Sequence, residues 1–317
     1  MLISADDLVP IDAVDADLVA AGARARHTVV IDVAGLVCAM HFDRVDVAAN
    51  VAARYADLRV ATRPPQRHAF AIHDGTRGWL FWSEGTPVLR WPHGELPPHV
   101  VAFLADAVAL TAFLRERNDG IVSLHAASVG LPDGIVAIIG DSHAGKTTTA
   151  IACARAGMTL YSDERCLIDR VSFVHAFPRA INLRAGGIRL LARDRLPGAD
   201  PIGARLRAHG VSDWDDVRVA DLGAAGGPLV PRPLCAVVLL DGSAPTASLE
   251  RVPASRAVRA AARWAQGAGA GMELLARLYA IFARVPCYAL RLGTPCDSAR
   301  LIRRLVPDRA DVRVHTA

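Results

Sequence analysis

Eight consecutive residues constrain this chain more than any others. Gly140-Asp141-Ser142-His143-Ala144-Gly145-Lys146-Thr147 fits G-x-x-x-x-G-K-[ST], the pattern of a phosphate-binding loop. Its glycines let the backbone turn so that successive N–H groups face one anion. A helix starting at Lys146 would aim its positive dipole end at the same point. Lys146 then reaches the β- and γ-phosphates, Thr147 offers its hydroxyl to Mg²⁺, and Thr148 continues the phosphate-facing turn. The context is the one the pattern requires. The apolar run Ile135–Ile139 predicts a strand before the loop, and a helical pattern after it ends at Gly157. Lysine usage sharpens the reading. Lys146 is the only lysine, so 35 of the 36 Lys+Arg residues are arginine. A chain otherwise built with arginine keeps lysine where a compact ammonium suits a phosphate.

Composition bounds the rest. The chain has 317 residues, 52% of them hydrophobic and 21% charged, which is enough for a packed core and for about two domains. A net charge of +4 without a concentrated basic patch argues against a nucleic-acid partner. No apolar run reaches the roughly 20 residues of a membrane helix. The longest, Val100 to Leu114, is broken by Asp106. The six cysteines show no C-x-x-C spacing and sit in apolar runs, so they are expected to be free thiols in a reducing compartment. Acidic residues, not basic ones, crowd the N-terminus. Together these place the expected location in the cytoplasm, away from membranes.

The pattern of elements predicts an α/β protein with a smaller α+β N-terminal domain over residues 1–95, a linking helix within 96–120 and a catalytic domain over 121–317. In the first domain, His27–Val33 and Ala69–His73 read as strands, Arg44–Tyr55 as a helix, and Gly75–Trp91 as a hairpin. In the second, strands are expected at Ile121–Leu124, Ile135–Ile139, Leu160–Asp163, Cys166–Ile168, Leu234–Leu240 and Cys287–Leu292. Val129–Asp133 reads as a turn. Helices are expected near 254–266, 271–283 and 298–305. Residues 192–232, rich in Arg, Gly, Pro and Asp, read as a lid or substrate loop.

The reaction depends on the acid that partners the loop. Asp241 ends the apolar run Ala236–Leu240, as in an ordinary nucleotide hydrolase or switch. Asp163-Glu164 instead follows a strand that returns at once after the loop helix, 17 residues beyond Lys146. With Leu124-His125-Ala126-Ala127 before the loop, Gly-Asp-Ser-x-x-Gly-Lys within it, Arg155-Ala156-Gly157 and then Leu160-Tyr161-Ser162-Asp163-Glu164, the chain resembles the catalytic domain of HPr kinase/phosphorylase. Asn182-Leu183-Arg184-Ala185-Gly186-Gly187-Ile188 is similar to that family's E-x-R-G-x-G-I signature. The likeness covers about residues 121–190 well and 233–306 loosely. It extends to the broader HPr-kinase-like group, whose members include kinases of peptide natural-product pathways.

The resemblance implies a core related to phosphoenolpyruvate carboxykinase and transfer of the ATP γ-phosphoryl group, with Mg²⁺, to a Ser or Thr hydroxyl of a peptide or small protein. It implies Asp163 as the base, Glu164 and Asn182 beside the metal with Thr147, His125 near the phosphates, and Arg184 stabilising the transferred charge. It also makes a homo-oligomer an expectation. This sequence departs from the family pattern at His143, in place of a glycine, at Glu164, in place of a second aspartate, and at Asn182, in place of a glutamate. The alternatives are a kinase of a small hydroxylated metabolite, a nucleotide-dependent switch centred on Asp241, and a non-catalytic relative. The Arg-rich segment 189–207 is either a solvated face or a contact for an acidic acceptor.

Overall fold

The computed structural model describes residues 8–9, 20–56, 58, 64–73, 78–83, 88–91, 95–97, 100–102, 104–109, 120–184, 186–187, 189, 214–217, 230–267 and 271–305. The chain divides into two compact units, residues 1–118 and 119–317.

In the first unit, β1 (Leu8–Val9), β2 (His27–Val33), β3 (Leu36–Phe42), β4 (Arg67–His73), β5 (Trp79–Ser83) and β6 (Val88–Trp91) form one sheet in the order β1-β6-β5-β4-β3-β2. Only β3 and β4 run parallel, and helix α1 (Val45–Arg54) makes that crossover. Strand β3 is absent from the sequence reading. It follows β2 through the two-residue turn Ala34-Gly35, both at positive φ (52° and 88°), which is the twist a tight hairpin needs. Trp79, Phe81, Phe42 and Met40 are buried in this unit.

One charged cluster lies inside it. Arg54 Nε donates to Asp106 Oδ2 at 2.6 Å, and the Tyr55 hydroxyl donates to Asp106 Oδ1. All three side chains are buried. Burial, then the charge and hydrogen bond of Asp106, push the Tyr55 hydroxyl well above its ordinary pKa. Asp106 falls in the segment expected as a linking helix. Its described residues, 100–102 and 104–109, are helical and belong to the first unit.

The second unit is built on a mixed sheet. The unit's strands are β7 (Val122–Leu124), β8 (Ala127–Leu131), β9 (Gly134–Ile139), β10 (Thr159–Ser162), β11 (Cys166–Ile168), β12 (Phe173–His175), β13 (Ile181–Arg184), β14 (Trp214–Val217), β15 (Arg232–Ser243), β16 (Ser248–Val252), β17 (Ala265–Gly267) and β18 (Cys287–Leu292); β13 and β14 pair with each other as a separate two-stranded sheet, and the others form the mixed sheet. Its helices are α2 (Lys146–Arg155), α3 (Ala254–Ala262), α4 (Met272–Phe282) and α5 (Pro295–Arg303). At the centre, β15 lies between β9 and β18, parallel to both. From β9 the sheet continues antiparallel through β8 to β10, and from β18 to β16. The N-terminal end of β15 also pairs with β12, which leads antiparallel through β11 and β7 to β17.

The period of two decides what each face holds. Val136, Ile138, Ala236, Val238 and Leu240 pack on one side with Ala150–Ala154 of α2 and Ala299 and Ile302 of α5. Ile135, Ala137, Ile139, Leu234, Val237 and Leu239 pack on the other with Ala257, Val258 and Ala261 of α3 and Leu278 and Phe282 of α4. Covered on both faces, β9 and β15 need continuous apolar runs, which is why they stand out in the sequence.

Two expectations need correction. Val129–Asp133 is not a turn: β8 runs to Leu131, and only Pro132 and Asp133 turn. Ser128 and Gly130 disguise the strand. Gly130 is there because β10 approaches closely, and a Cβ would lie 3.3 Å from both Thr159 Cβ and Tyr161 Cε2. The helix expected over 254–266 ends at Ala262, and Ala265–Gly267 instead pairs with β7. Most of the 192–232 segment lies outside the described residues.

Candidate functional site

The loop after β9 leads directly into α2, as its sequence requires. It sits at the carboxyl end of parallel strands, where α/β sheets bind ligands. Gly145 precedes the helix at φ +97°, a conformation disfavoured for side-chain-bearing residues. His143 reaches φ +66° without being glycine, and its side chain is exposed. Asp141 and Ser142 are exposed as well, Ala144, Thr147 and Thr148 are half-buried, and Lys146 is buried. The Lys146 ammonium donates to the carbonyls of Gly140 at 3.0 Å and Asp141 at 2.9 Å, which pins it across the loop. Gly140 packs against β15, where a Cβ would come within 3.2 Å of Leu240 Cβ.

A second group of side chains converges on Glu164. His125 Nδ1 lies 2.9 Å from Glu164 Oε1, and Arg179 donates to Glu164 Oε2 at 3.2 Å. The turn carrying Glu164 is held by Ser162, whose hydroxyl oxygen accepts from the N–H groups of Glu164 and Arg165. Burial disfavours the Glu164 carboxylate. The hydrogen bond and charge of His125, followed by Arg165 and Lys146, outweigh it and hold the carboxyl below its ordinary value. Burial also lowers the Lys146 pKa, with Glu164 and Asp141 opposing it. Those are the two acids whose charge acts on Lys146. Asp241 is engaged elsewhere, 3.0 Å from Arg256 of α3.

His125 is fixed from a third direction. Its backbone N–H donates to the carbonyl of Trp264 at 3.1 Å, and the two rings lie 5.8 Å apart. The Trp264 indole N–H faces Asp141 Oδ1 at 3.5 Å, and Arg263 lies 3.2 Å from the same oxygen. The residues just past α3 therefore touch both the loop and the His125 strand end.

Of the residues singled out from sequence, Lys146, Asp141, Glu164 and His125 are thus brought to one place. Asp163, beside Glu164, is buried at 3% exposure. Asn182 and Arg184 lie on β13, in register with Asp216 and Trp214 of β14, and their side chains lie outside the described residues. Arg179, Arg263 and Trp264 are absent from the sequence reading. Arg179 has no periodic signal, and only its place three residues before Asn182 hints at the site. Among the described residues no cluster of three or more His, Cys, Asp or Glu side chains could form a metal cage. No helix among them is long and apolar enough to cross a membrane. The cysteines are free, and burial pushes the Cys166 thiol up to about 12 and those of Cys235 and Cys287 up to about 11. No protein-family model matches the chain, and no curated protein is similar enough to count as a match.

Proposed function

We propose that the second unit is an ATP-dependent phosphotransferase of the HPr-kinase-like type, acting on a Ser or Thr hydroxyl of a peptide or small protein. The observation that carries this reading is the convergence of Lys146, Glu164 and His125 from three separate elements at the carboxyl end of β9. A simple switch built on Asp241 would put that acid beside the loop lysine. Here Asp241 serves α3 through Arg256, and Glu164 and Asp141 are the acids whose charge acts on Lys146.

The loop N–H groups and the start of α2 bind the phosphates, and Lys146 bridges the β- and γ-groups. The donor set fits Mg²⁺ bound mainly through the nucleotide, which takes one or two protein carboxylates and needs no protein cage. Thr147 and Glu164 would hold it, since each Glu164 oxygen keeps a second lone pair beyond its bond to His125 or Arg179. The metal would neutralise charge developing on the phosphates. Asp163 accepts the proton of the acceptor hydroxyl as its oxygen bonds to the γ-phosphorus and the bond to the β-γ bridging oxygen breaks, releasing ADP. His125 and Arg179 hold Glu164 in place.

The test uses purified protein, Mg²⁺ and γ-labelled ATP with size-fractionated peptide and protein acceptors. Wild type should label an acceptor, and Lys146→Ala and Asp163→Asn should not. Lys146→Ala should also lose ADP binding, while Asp163→Asn keeps it. Full transfer in both variants would sink the assignment.

A further inference from the structure

Helix α3 and its C-terminal cap carry arginines at positions 256, 259 and 263, the last just past Ala262, spaced i, i+3 and i+7 along one exposed stripe. Ala257, Val258 and Ala261 are buried on the opposite face. Helix propensity and dipole do not account for the stripe. Cations suit a last turn, which covers Arg259, but Arg256 sits in the first turn, where no acid accompanies it and the dipole opposes its charge. Two of the arginines are tied to the phosphate-loop end of the central strands, Arg256 to Asp241 and Arg263 to Asp141. Both remain open to solvent, at 44% and 62% side-chain exposure. Arg259, between them, is exposed and makes no ion pair among the described residues. Trp264 extends the row, 36% exposed, with its indole facing Asp141.

We propose that this stripe is the docking edge for the phosphoryl acceptor and that it selects an acidic peptide. This rests on the kinase reading of the same loop. The stripe is about 10 Å long, at roughly 1.5 Å per helical residue. An extended peptide covers that with about three residues at roughly 3.3 Å each. Three guanidinium groups therefore match a short run of Asp or Glu beside the acceptor hydroxyl, with Trp264 under the residue nearest the loop. Asp141 and Asp241 hold the outer arginines at a fixed spacing, and Arg259, with no ion pair among the described residues, meets the incoming carboxylate.

The test measures fluorescence anisotropy of two dye-labelled peptides with the full chain and ADP. One has a serine followed by three glutamates, the other has glutamines in their place. Wild type should bind the acidic peptide about tenfold more tightly, the scale of a few exposed charge pairs acting together. Arg259→Glu should remove that preference, and Arg259→Lys should keep most of it. Equal affinity for the two peptides in wild type, or an unchanged preference in Arg259→Glu, would overturn the proposal. So would a single-stranded RNA of equal charge that binds more tightly than the peptide and is lost in Arg259→Glu. Calorimetry with ADP alone reads the nucleotide site separately: a wild type that binds ADP but shows no preference for the acidic peptide sinks only the docking edge, and absence of ADP binding sinks the kinase reading.

Discussion

Each unit contains a carboxylate held by an arginine, and the two differ in what surrounds them. In the first unit, Asp106 is closed in by Arg54 and Tyr55, with all three side chains buried. In the second, Glu164 takes His125 and Arg179 but stays 31% exposed, with Lys146 within electrostatic reach. The first arrangement neutralises a charge and seals it. The second keeps a charged oxygen pair near solvent, where a ligand can add a further contact. An arginine–carboxylate pair says little by itself. What decides its role is whether its remaining lone pairs face packed protein or the loop.

The largest expected effect breaks the sealed cluster. Asp106→Ala takes the carboxylate away from the buried Arg54 and Tyr55 and should cost about 3–5 kcal/mol of unfolding free energy. Urea denaturation followed by tryptophan fluorescence reads this well, since Trp79, Trp82 and Trp91 all lie in the first unit. ADP affinity should not change. A loss under about 1 kcal/mol would mean that the cluster is hydrated and that the contrast with Glu164 is false.

Glu164→Gln should do the opposite, leaving the fold largely intact and lowering transfer about 100-fold, the scale of removing one electrostatic group from a reacting centre. Its pH dependence sharpens the point. The Glu164 carboxyl lies below its ordinary 4.5 in the folded protein. A depressed folded pKa gives stability that is complete above the unfolded value and is lost as pH falls through the folded one. The gap in unfolding free energy between wild type and Glu164→Gln should therefore be constant well above pH 4.5 and close on acidification below it. A gap that widens on acidification would mean that the hub favours the neutral acid.

The same contrast explains what was legible in the sequence. Strands buried on both faces, such as β9 and β15, show as unbroken apolar runs, and the glycine-bearing loop between β9 and α2 shows because an apolar run precedes it and a helical pattern follows it. The position of Asp163-Glu164 at the end of a short strand was legible, because the apolar run that makes β10 directly precedes it. Contacts made across the fold were not. Arg179 reaches Glu164, and Trp264 reaches Asp141 across 123 residues, with nothing local to mark either. Small residues also hid structure. Gly130 masks a strand that must let β10 close in, and the alanines before Ala265 prolong a helical pattern past the point where the chain turns to pair with β7.

The smallest expected effect concerns the ion pair least like Asp106. Arg256 and Asp241 lie 3.0 Å apart with both side chains more than a third exposed. Water already screens such a pair, so its loss is small. Arg256 also opposes the dipole of α3 from its first turn, so removing the charge returns part of that loss. Arg256→Gln should shift unfolding free energy by less than about 0.5 kcal/mol, against the several kcal/mol expected at Asp106. Urea denaturation followed by circular dichroism would check this. A loss above about 1.5 kcal/mol would mean that the pair fastens α3 to the end of β15, and Arg256 would then owe its place to the fold and not to a ligand.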